Sequence, residues 1–234
     1  DSGGTFTDVC LFDQQSGRIA VWKVSSTPDD PSRGIAQGVE EGMREEAGAD
    51  HDPAAAITYL GHGTTVATNA LITHRGAKVG LLTTGGFRDL LEIGRQKRPD
   101  LYDLFAAKPP VLVPRDLRFE VAERLSHDGA VVTPLDEDAV RRAARALAEA
   151  GVQAVAVCFL YAFVNPAHEQ AAKRILAEEL PGVFLCASHE IAPEFREFER
   201  LSTATVNAYL GPIMHRYISR LSPRLADLGL PVAP

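Results

Sequence analysis

The chain opens on Asp1-Ser-Gly-Gly-Thr-Phe-Thr-Asp8, two adjacent glycines flanked by hydroxyl and carboxylate side chains. Gly3 and Gly4 permit a tight turn with positive φ, and without Cβ atoms their backbone N–H groups approach an anion closely. Thr5 and Thr7 are two residues apart on the strand that follows, so we expect both hydroxyls on one side as donors to phosphate. Short glycine motifs have many false positives, and an ordinary hairpin turn is the competing interpretation.

Two carboxylates flank this turn. Asp1 is predicted to hold a Mg²⁺ ion or one of its waters, because this hard cation prefers carboxylate oxygen. We therefore treat Asp1 as both a metal ligand and a catalytic residue. Asp8 is a second catalytic candidate, although on a strand it faces the side opposite to Thr5 and Thr7.

The sequence outside the turn predicts antiparallel strands first and βα alternation afterwards. Gln14-Gln-Ser-Gly17 joins two strand-like runs as a hairpin. The predicted strands cover 5–12, 18–25, 57–61, 79–83, 119–125, 130–133, 154–160 and 183–187. The predicted helices cover 31–47, 64–75, 136–150, 166–180 and 194–228, the last bent or interrupted at Pro212 and Pro223. A further short helix is predicted to begin at Gly86-Phe87. We expect an α/β fold, a mixed sheet with helices on both faces followed by a helical C-terminal segment.

Composition excludes several classes of protein. Hydrophobic residues make up 45% of the 234, which suffices for a globular core, and the net charge of −7 disfavours nucleic acid or anionic lipid as a partner. No apolar run approaches the roughly 18 residues of a membrane span, and no signal peptide is visible, so a cytoplasmic protein is expected. Cys10, Cys158 and Cys186 are expected to be buried free thiols. The ends of the sequence suggest a fragment.

A second candidate site begins at His62, where a predicted strand meets the N-terminus of a predicted helix, a natural place for an anion. Thr64 and Thr65 are predicted to contact phosphate and Asn69 to contact substrate, with His62 as a catalytic residue. The alternatives are that Thr64 is only a helix N-cap and that His62 has a structural role.

An irregular, proline-rich loop covers 93–118, and loops of this length are usually functional. A polar cluster leads into it: Arg88, Asp89, Glu92, Arg95, Gln96 and Arg98. We predict that this cluster faces the substrate and that Arg95 or Arg98 binds a substrate carboxylate bidentately, with ordinary surface charge as the alternative.

Ser188-His189-Glu190 is predicted on a strand, where neighbouring side chains alternate and cannot form a catalytic triad. His189 is nevertheless a candidate for substrate contact from the strand end. The charged residues at 194–200 are expected to form ion pairs on a solvated helix.

Asp1 to Asp8 resembles the first phosphate motif of the sugar kinase, heat-shock-70 and actin superfamily. Three longer segments, at 62–71, 85–103 and 188–200, look very like hydantoinase A, 5-oxoprolinase and related ketone carboxylase subunits. The first of them reads His62-Gly-Thr-Thr-Val-Ala-Thr-Asn-Ala-Leu71. The resemblance covers nearly the whole chain, and its specificity comes from the three longer segments together.

The resemblance implies a ribonuclease-H-like domain over 1–190 and the truncated helical start of the hydantoinase A domain over 191–234. It implies ATP and Mg²⁺ as cofactors, with the nucleotide clamped between this half and a second one, so the isolated fragment is expected to be inactive. It also implies a small cyclic amide as substrate, a hydantoinase B-type subunit or domain as partner, and an oligomer.

The leading hypothesis is therefore an ATP-dependent amidohydrolase that opens a five-membered cyclic amide, of the hydantoin or 5-oxoproline type, after phosphoryl activation of the amide. An ATP-dependent ketone carboxylase subunit is the first alternative, and bicarbonate dependence of ATP turnover would distinguish it. A non-catalytic ATP-responsive module is the second, and absence of nucleotide-induced stabilisation would favour it.

Overall fold

The computed structural model describes residues 1–27, 29–46, 54–97 and 99–230, which form two compact units. The first unit comprises Asp1–Arg75 and Ile213–Pro234, and the second comprises Gly76–Pro212. The domain boundary predicted at residue 190 divides two regions of a longer protein. The two compact units do not test that division, so it stays a prediction. Among the described residues, no helix combines the length and the apolar character needed to cross a membrane.

The strands are β1 (Phe6–Phe12), β2 (Ile19–Ser25), β3 (Val79–Thr84), β4 (Arg118–Val121), β5 (Arg124–Leu125), β6 (Val131–Thr133), β7 (Ala154–Cys158) and β8 (Phe184–Ala187). The helices are α1 (Pro31–Glu46), α2 (Val66–Ile72), α3 (Leu90–Ile93), α4 (Glu137–Glu149), α5 (Ala167–Glu179), α6 (Ser188–Ile191) and α7 (Glu197–Asp227).

A hairpin of β1 and β2 forms the start of the first unit, as predicted, with Phe6 opposite Ser25. Helix α1 lies directly on this hairpin because its inner face carries glycines one turn apart. A Cβ atom at Gly42 would overlap the Trp22 ring, and the Trp22 indole N–H donates to the Gly38 carbonyl. The absence of side chains on these glycines therefore sets the distance between helix and hairpin.

The C-terminal part of α7 completes the core of the first unit. Ile35 and Val39 of α1 share a buried apolar cluster with Leu221 and Leu225. A polar contact joins the same two helices: Asp30, just before α1, accepts a 2.9 Å hydrogen bond from Arg224. The helices are thus held by apolar packing and by a largely buried carboxylate with a cationic partner.

The second unit contains a four-stranded parallel sheet in the order β4-β3-β7-β8. Gly80 packs against Leu147 of α4, so α4 covers one face. Cys186, which in the strand register lies on the other face, contacts Ala204 of α7. The predicted βα alternation and the helices on both faces are therefore confirmed for this sheet.

The expectation of a single mixed sheet was wrong for the described residues. The antiparallel pairs β1–β2 and β5–β6 form two-stranded sheets of their own. The stretch predicted as one strand over 119–125 is divided, because β4 pairs in parallel with β3 whereas Arg124 and Leu125 turn to pair with β6.

Three other local predictions also differ from the structure. Residues 57–61 form no strand, and an isolated bridge between Ser2 and Thr64 is the pairing found nearby. Residues 188–191 are helical rather than extended. Helix α7 is continuous through Pro212 and Pro223, since packing of buried residues such as Leu221 supports it on either side of the missing N–H groups.

The three cysteines are free, but they do not share one environment. Cys158 and Cys186 are buried as predicted, and burial raises the pKa of their thiols to about 12 and about 11. Cys10 is exposed, which corrects the expectation of a third buried thiol. It alternates with the partly buried Val9 and Leu11, so its side chain lies on the outer face of the hairpin.

Candidate functional site

The glycine turn at the start of the chain is fixed against the segment around Thr64. The Ser2 N–H donates to the Gly63 carbonyl at 3.0 Å, and the Thr65 N–H donates to the Ser2 carbonyl at 3.2 Å. Within the turn, the Gly3 N–H donates to the Phe6 carbonyl at 3.0 Å. These bonds bring together two segments that are about 60 residues apart in the sequence.

Gly3 and Gly4 do not adopt positive φ, contrary to the expectation for this turn. Their lack of side chains instead leaves room for close approach. A Cβ atom at Gly3 would lie 3.2 Å from the Phe6 carbonyl, and one at Gly4 would lie 3.5 Å from Asn69 Nδ2. The turn therefore offers an open backbone surface beside Asn69.

Two adjacent backbone donors are unsatisfied at this surface. In the described part of the chain, the N–H groups of Gly4 and Thr5 make no hydrogen bond, and the Thr5 hydroxyl makes none. Both residues are exposed. Successive backbone N–H groups in a turn are a known kind of anion-binding feature.

Thr7 has a different environment from Thr5, which corrects the expectation that both hydroxyls are available on one side. Thr7 is only 1% exposed, and its Oγ1 lies 3.1 Å from Ser26 Oγ. Because Ser26 Oγ donates its proton to the Gly3 carbonyl at 2.9 Å, Thr7 is the donor to Ser26. Thr5 lies in the turn before β1, so strand alternation does not relate the two side chains.

The two flanking aspartates also differ. Their backbones are paired, with the Asp8 N–H donating to the Asp1 carbonyl at 2.8 Å. The Asp8 carboxylate forms an exposed ion pair with Lys23 at 3.1 Å. The Asp1 carboxylate lies against Gly63, where an added Cβ atom would be 3.5 Å from Oδ1. Asp1 therefore shares a neighbourhood with the turn and the second segment, whereas Asp8 has a cationic partner of its own.

Thr64, Thr65 and Asn69 lie together beside the turn. The hydroxyls of Thr64 and Thr65 are each 3.5 Å from the Ser2 carbonyl, and Asn69 Nδ2 donates to Thr65 Oγ1 at 3.2 Å. Thr65 is the N-cap residue of α2 and its side chain makes no capping bond, but the Thr64 hydroxyl accepts from the N–H of Val66, the first helical residue, at 3.2 Å. Because α2 has only seven residues, any anion affinity here arises from these side chains more than from a helix dipole.

His62 forms a hydrogen bond through Nε2 to the hydroxyl of Tyr217, in the part of α7 that belongs to the first unit. The two rings have centroids 5.7 Å apart. Burial holds the pKa of His62 below its ordinary value, so the imidazole is neutral at pH 7. This partner favours the structural interpretation of His62, and Tyr217 has no sequence signal that would have linked it to residue 62.

Of the two arginines predicted to bind substrate, the structure describes Arg95. Arg95 donates from Nε to Glu199 Oε1 at 2.7 Å in an ion pair at the surface. Arg98 lies outside the described residues. The Arg95 side chain is thus engaged by a carboxylate of its own chain.

His189 belongs to a buried network in the second unit. Its Nδ1 lies 2.6 Å from Oε2 of the buried Glu169, and the Ser188 hydroxyl donates to Glu169 Oε1 at 2.6 Å. Ser188 and His189 meet the same carboxylate because they begin the short helix α6. The hydroxyl is bonded to the carboxylate rather than to the imidazole, so this arrangement is not a nucleophile–base pair.

Arg200 completes that network, although its sequence position suggested a solvated helix. It is 2% exposed and donates from Nη1 to the Phe159 carbonyl at 2.9 Å and to Ser188 Oγ at 2.6 Å. A second buried pair joins His168, the residue before Glu169, to Glu123, with Nδ1 2.7 Å from Oε2. Sequence analysis missed these residues because their partners are distant in sequence.

Comparison with known proteins identifies the relatives of this chain. The family described as hydantoinase/oxoprolinase N-terminal region matches residues 1–180. The alpha subunit of caprolactamase from Pseudomonas jessenii is 42% identical over 98% of this chain and 33% of its own length.

Two solved structures have the same fold. The crystal structure of ATP-dependent caprolactamase from P. jessenii superposes with a TM-score of 0.87 at 41% identity, covering 99% of this chain and 34% of that one. Nucleotide-free acetone carboxylase, from a study of ATP-dependent acetone carboxylation, has a TM-score of 0.88 at 28% identity. The match covers 98% of this chain and 34% of that one. The chain spans about a third of the length of these relatives. It belongs to the hydantoinase/oxoprolinase family, as its N-terminal region.

Proposed function

We propose that the turn from Asp1 to Asp8 binds the phosphates of ATP, and that the longer protein is an ATP-dependent amidohydrolase acting on a five-membered cyclic amide. The observation that carries this proposal is the pair of free, exposed amides at Gly4 and Thr5. The ATP-dependent relatives support the choice of nucleotide. The hydantoinase/oxoprolinase family supports the choice of a five-membered ring.

The residues around the turn suit a nucleotide phosphate. The two amides and the Thr5 hydroxyl supply three donors, and Thr64, Thr65 and Asn69 lie beside them as further polar contacts. Asp1 is the carboxylate that would hold Mg²⁺, which binds through one or two carboxylates and keeps waters and phosphate oxygens as its other ligands. When bound, Mg²⁺ neutralises charge on the phosphates.

The proposed reaction activates an unreactive amide. The amide oxygen attacks the γ-phosphorus of ATP, the bond to the β-phosphate oxygen breaks, and ADP leaves. Water then attacks the activated carbon, and the ring C–N bond breaks to leave an acyl phosphate and a free amine. A second water hydrolyses the acyl phosphate, which gives the carboxylate and releases phosphate. Phosphoryl transfer requires alignment and charge neutralisation more than covalent catalysis, so donors such as those of the turn suffice for this half of the site.

Several finer features belong to the same proposal. They are a ribonuclease-H-like fold, a second half of the nucleotide site in the remainder of the longer protein, and a hydantoinase B-type subunit or domain as partner. The subunit designation of the caprolactamase relative supports a multi-component enzyme.

Gly4→Val in the full-length protein tests the phosphate role. The branched side chain would cover the free amides, so we expect ATP affinity to fall at least about tenfold, or 1.4 kcal/mol. The free energy of unfolding should change by no more than about 0.5 kcal/mol, because Gly4 is exposed and lacks positive φ. Isothermal titration with ATP and denaturant unfolding measure the two quantities.

Gly85→Val is the matched control, since Gly85 is likewise exposed and without positive φ but lies in the second unit. Its ATP affinity should equal that of the unchanged protein. Equal ATP affinity in the Gly4 variant would remove the turn from the nucleotide site.

A ketone carboxylase is the second candidate, favoured by the likeness to acetone carboxylase. In that case the phosphoryl group would activate an enolate or bicarbonate instead of an amide. Bicarbonate-dependent ATP turnover by the full-length protein would support the carboxylase, and turnover stimulated by a cyclic amide without bicarbonate would support the hydrolase.

A further inference from the structure

Tyr217 is a buried residue of α7 that belongs to the apolar cluster of the first unit. It is 4% exposed, and the other members of the cluster include Leu221, about one turn further along the helix, and Ile35 of α1. A tyrosine hydroxyl in such surroundings needs a hydrogen-bond partner, because a buried polar group without one costs free energy. The packing fixes the ring, so the position of the hydroxyl is fixed as well.

The Tyr217 hydroxyl meets the segment that supports the glycine turn. It forms a hydrogen bond with Nε2 of His62, and the next residue, Gly63, accepts a 3.0 Å hydrogen bond from the Ser2 N–H. Thr64 follows, and a parallel bridge joins it to Ser2. Tyr217 therefore holds the residue that directly precedes the contact between this segment and the turn.

The same hydroxyl also interacts with the Thr64 side chain. Burial raises the pKa of Tyr217, and the hydrogen bond with Thr64 acts in the opposite direction. Thr64 Oγ1 accepts a 3.2 Å hydrogen bond from the Val66 N–H at the start of α2. The Thr64 hydroxyl is thus held from two sides, by the helix and by the tyrosine, at a position beside the turn.

His62 acts in this arrangement as a link between α7 and Thr64. Burial keeps the pKa of His62 below its ordinary value, so at pH 7 the imidazole carries no positive charge that would attract a phosphate. Its Nε2 is engaged by the Tyr217 hydroxyl. A neutral ring with this partner holds a position, which is a different role from that of a phosphate contact.

We propose that Tyr217 is a positioning residue for the nucleotide: its hydroxyl, through His62 and directly, keeps the Thr64 side chain where it meets the phosphates of ATP. The inference rests on the proposed function, because it takes the glycine turn and its neighbours as the phosphate site. A site that already has its binding geometry loses less conformational freedom when the ligand binds, so a residue without phosphate contact still affects affinity.

Substitutions at Tyr217 and Thr64, singly and together, test the proposal by ATP titration of the full-length protein. Tyr217→Phe removes one oxygen and keeps the ring in its cluster. We expect ATP to bind about three- to tenfold more weakly, the factor that corresponds to one hydrogen bond. Thr64→Val should weaken binding at least as much, since it removes the phosphate contact itself. The double variant should match Thr64→Val to within about twofold, because Tyr217 acts through Thr64.

Tyr209→Phe is the matched control, since Tyr209 is also a buried tyrosine of α7, 7% exposed, but lies in the second unit. It should bind ATP like the unchanged protein. Two changes at His62 add a conservative rescue. His62→Gln keeps a hydrogen-bonding side chain for the Tyr217 hydroxyl and should retain ATP affinity to within about twofold, whereas His62→Leu should lose about as much as Tyr217→Phe.

Three results would overturn the proposal: unchanged ATP affinity in Tyr217→Phe, losses that add in the double variant, or an equal loss in Tyr209→Phe. If Tyr217→Phe does not fold, the His62 variants decide, and equal ATP affinity in the glutamine and leucine variants would overturn it. Gly4→Val keeps the two proposals apart. Weaker ATP binding in Gly4→Val with unchanged binding in Tyr217→Phe counts against this inference alone, and the reverse pattern counts against the proposed role of the turn alone.

Discussion

Thr5 and Thr7 carry the same side chain, but their hydroxyls have different surroundings. Thr5 is exposed in the turn, and its hydroxyl makes no hydrogen bond with the described residues, whereas Thr7 is buried and donates to Ser26, which in turn donates to the Gly3 carbonyl. The Ser26 hydroxyl thus supports the turn from beneath. The sequence predicts a glycine turn with two hydroxyls, but Ser26 comes 23 residues after Gly3, and local spacing carries no information about that contact.

Replacing each threonine by valine separates the two roles. Thr7→Val removes a buried hydrogen bond and leaves Ser26 with one partner fewer, so we expect a loss of about 1–2 kcal/mol in the free energy of unfolding. Thr5→Val should change stability by less than about 0.5 kcal/mol but weaken ATP binding. Denaturant unfolding and ATP titration of both variants give the comparison, and the reverse pattern would contradict the assigned roles.

At the scale of single elements, the strands and helices of the second unit follow from the sequence because apolar runs alternate with amphipathic segments. Helix α4 also has the N-cap expected for it, since the Asp136 side chain accepts from the Ala139 N–H at 2.8 Å. The prediction for 57–61 was wrong because short apolar runs do not distinguish a strand from other structure. The prediction for α6 was wrong because this helix follows β8 directly, with no glycine or proline to mark the end of the strand. The contact of α1 with the hairpin depends on individual side chains rather than on periodicity.

Gly42→Ala tests that contact. The added methyl group would overlap the Trp22 ring, so the helix or the ring must move, and we expect a destabilisation of about 1–3 kcal/mol. Gln37→Ala, on the exposed face of the same helix, should cost less than about 0.5 kcal/mol. Thermal and denaturant unfolding measure both, and a Gly42 variant as stable as the control would show that α1 lies farther from the hairpin.

Asp30 gives the contact between α1 and α7 a dependence on pH. Burial acts to raise the pKa of Asp30, but the hydrogen bond from Ser32 and the charges of Arg224 and Arg220 outweigh it, so the pKa lies below its ordinary value. The contribution of the charged Asp30 to the free energy of unfolding is fully present above its pKa in the unfolded chain, about 3.9. It is lost as the pH falls through the lower pKa that Asp30 has in the folded protein.

Asp30→Asn should therefore lower the free energy of unfolding at pH 7. We expect a loss of about 1–3 kcal/mol, because that is the usual contribution of hydrogen bonds to a charged group. The difference from the unchanged protein should shrink as the pH falls below about 4. Denaturant unfolding at a series of pH values checks this, and a constant difference down to acid pH would contradict it.

At the scale of the whole molecule, the chain provides one side of the proposed nucleotide site. The sequence predicted the glycine turn and its neighbouring segment, and the structure brings Asp1, Gly4 and Asn69 to one surface. It did not predict the buried polar pairs. Glu123 and His168 are 45 residues apart and Asp30 and Arg224 are 194 apart, so their pairing depends on the complete fold.

The 234-residue polypeptide by itself should have negligible ATPase activity, because the chain spans about a third of its relatives and the proposed site needs a second half. The full-length protein should turn over ATP with a suitable substrate. A coupled assay of ADP release on both proteins decides this, and robust turnover by residues 1–234 would refute the divided site.

The unequal environments of the cysteines have a practical consequence for studying the turn. A maleimide dye at neutral pH reacts with accessible thiolate, so in the native polypeptide it should attach to Cys10 and spare Cys158 and Cys186, whose buried thiols remain protonated. Cys10 lies on the strand that leads out of the turn. The protein thus carries a native attachment point for a fluorescent reporter two residues beyond Asp8, and no engineered cysteine is needed to follow nucleotide binding there.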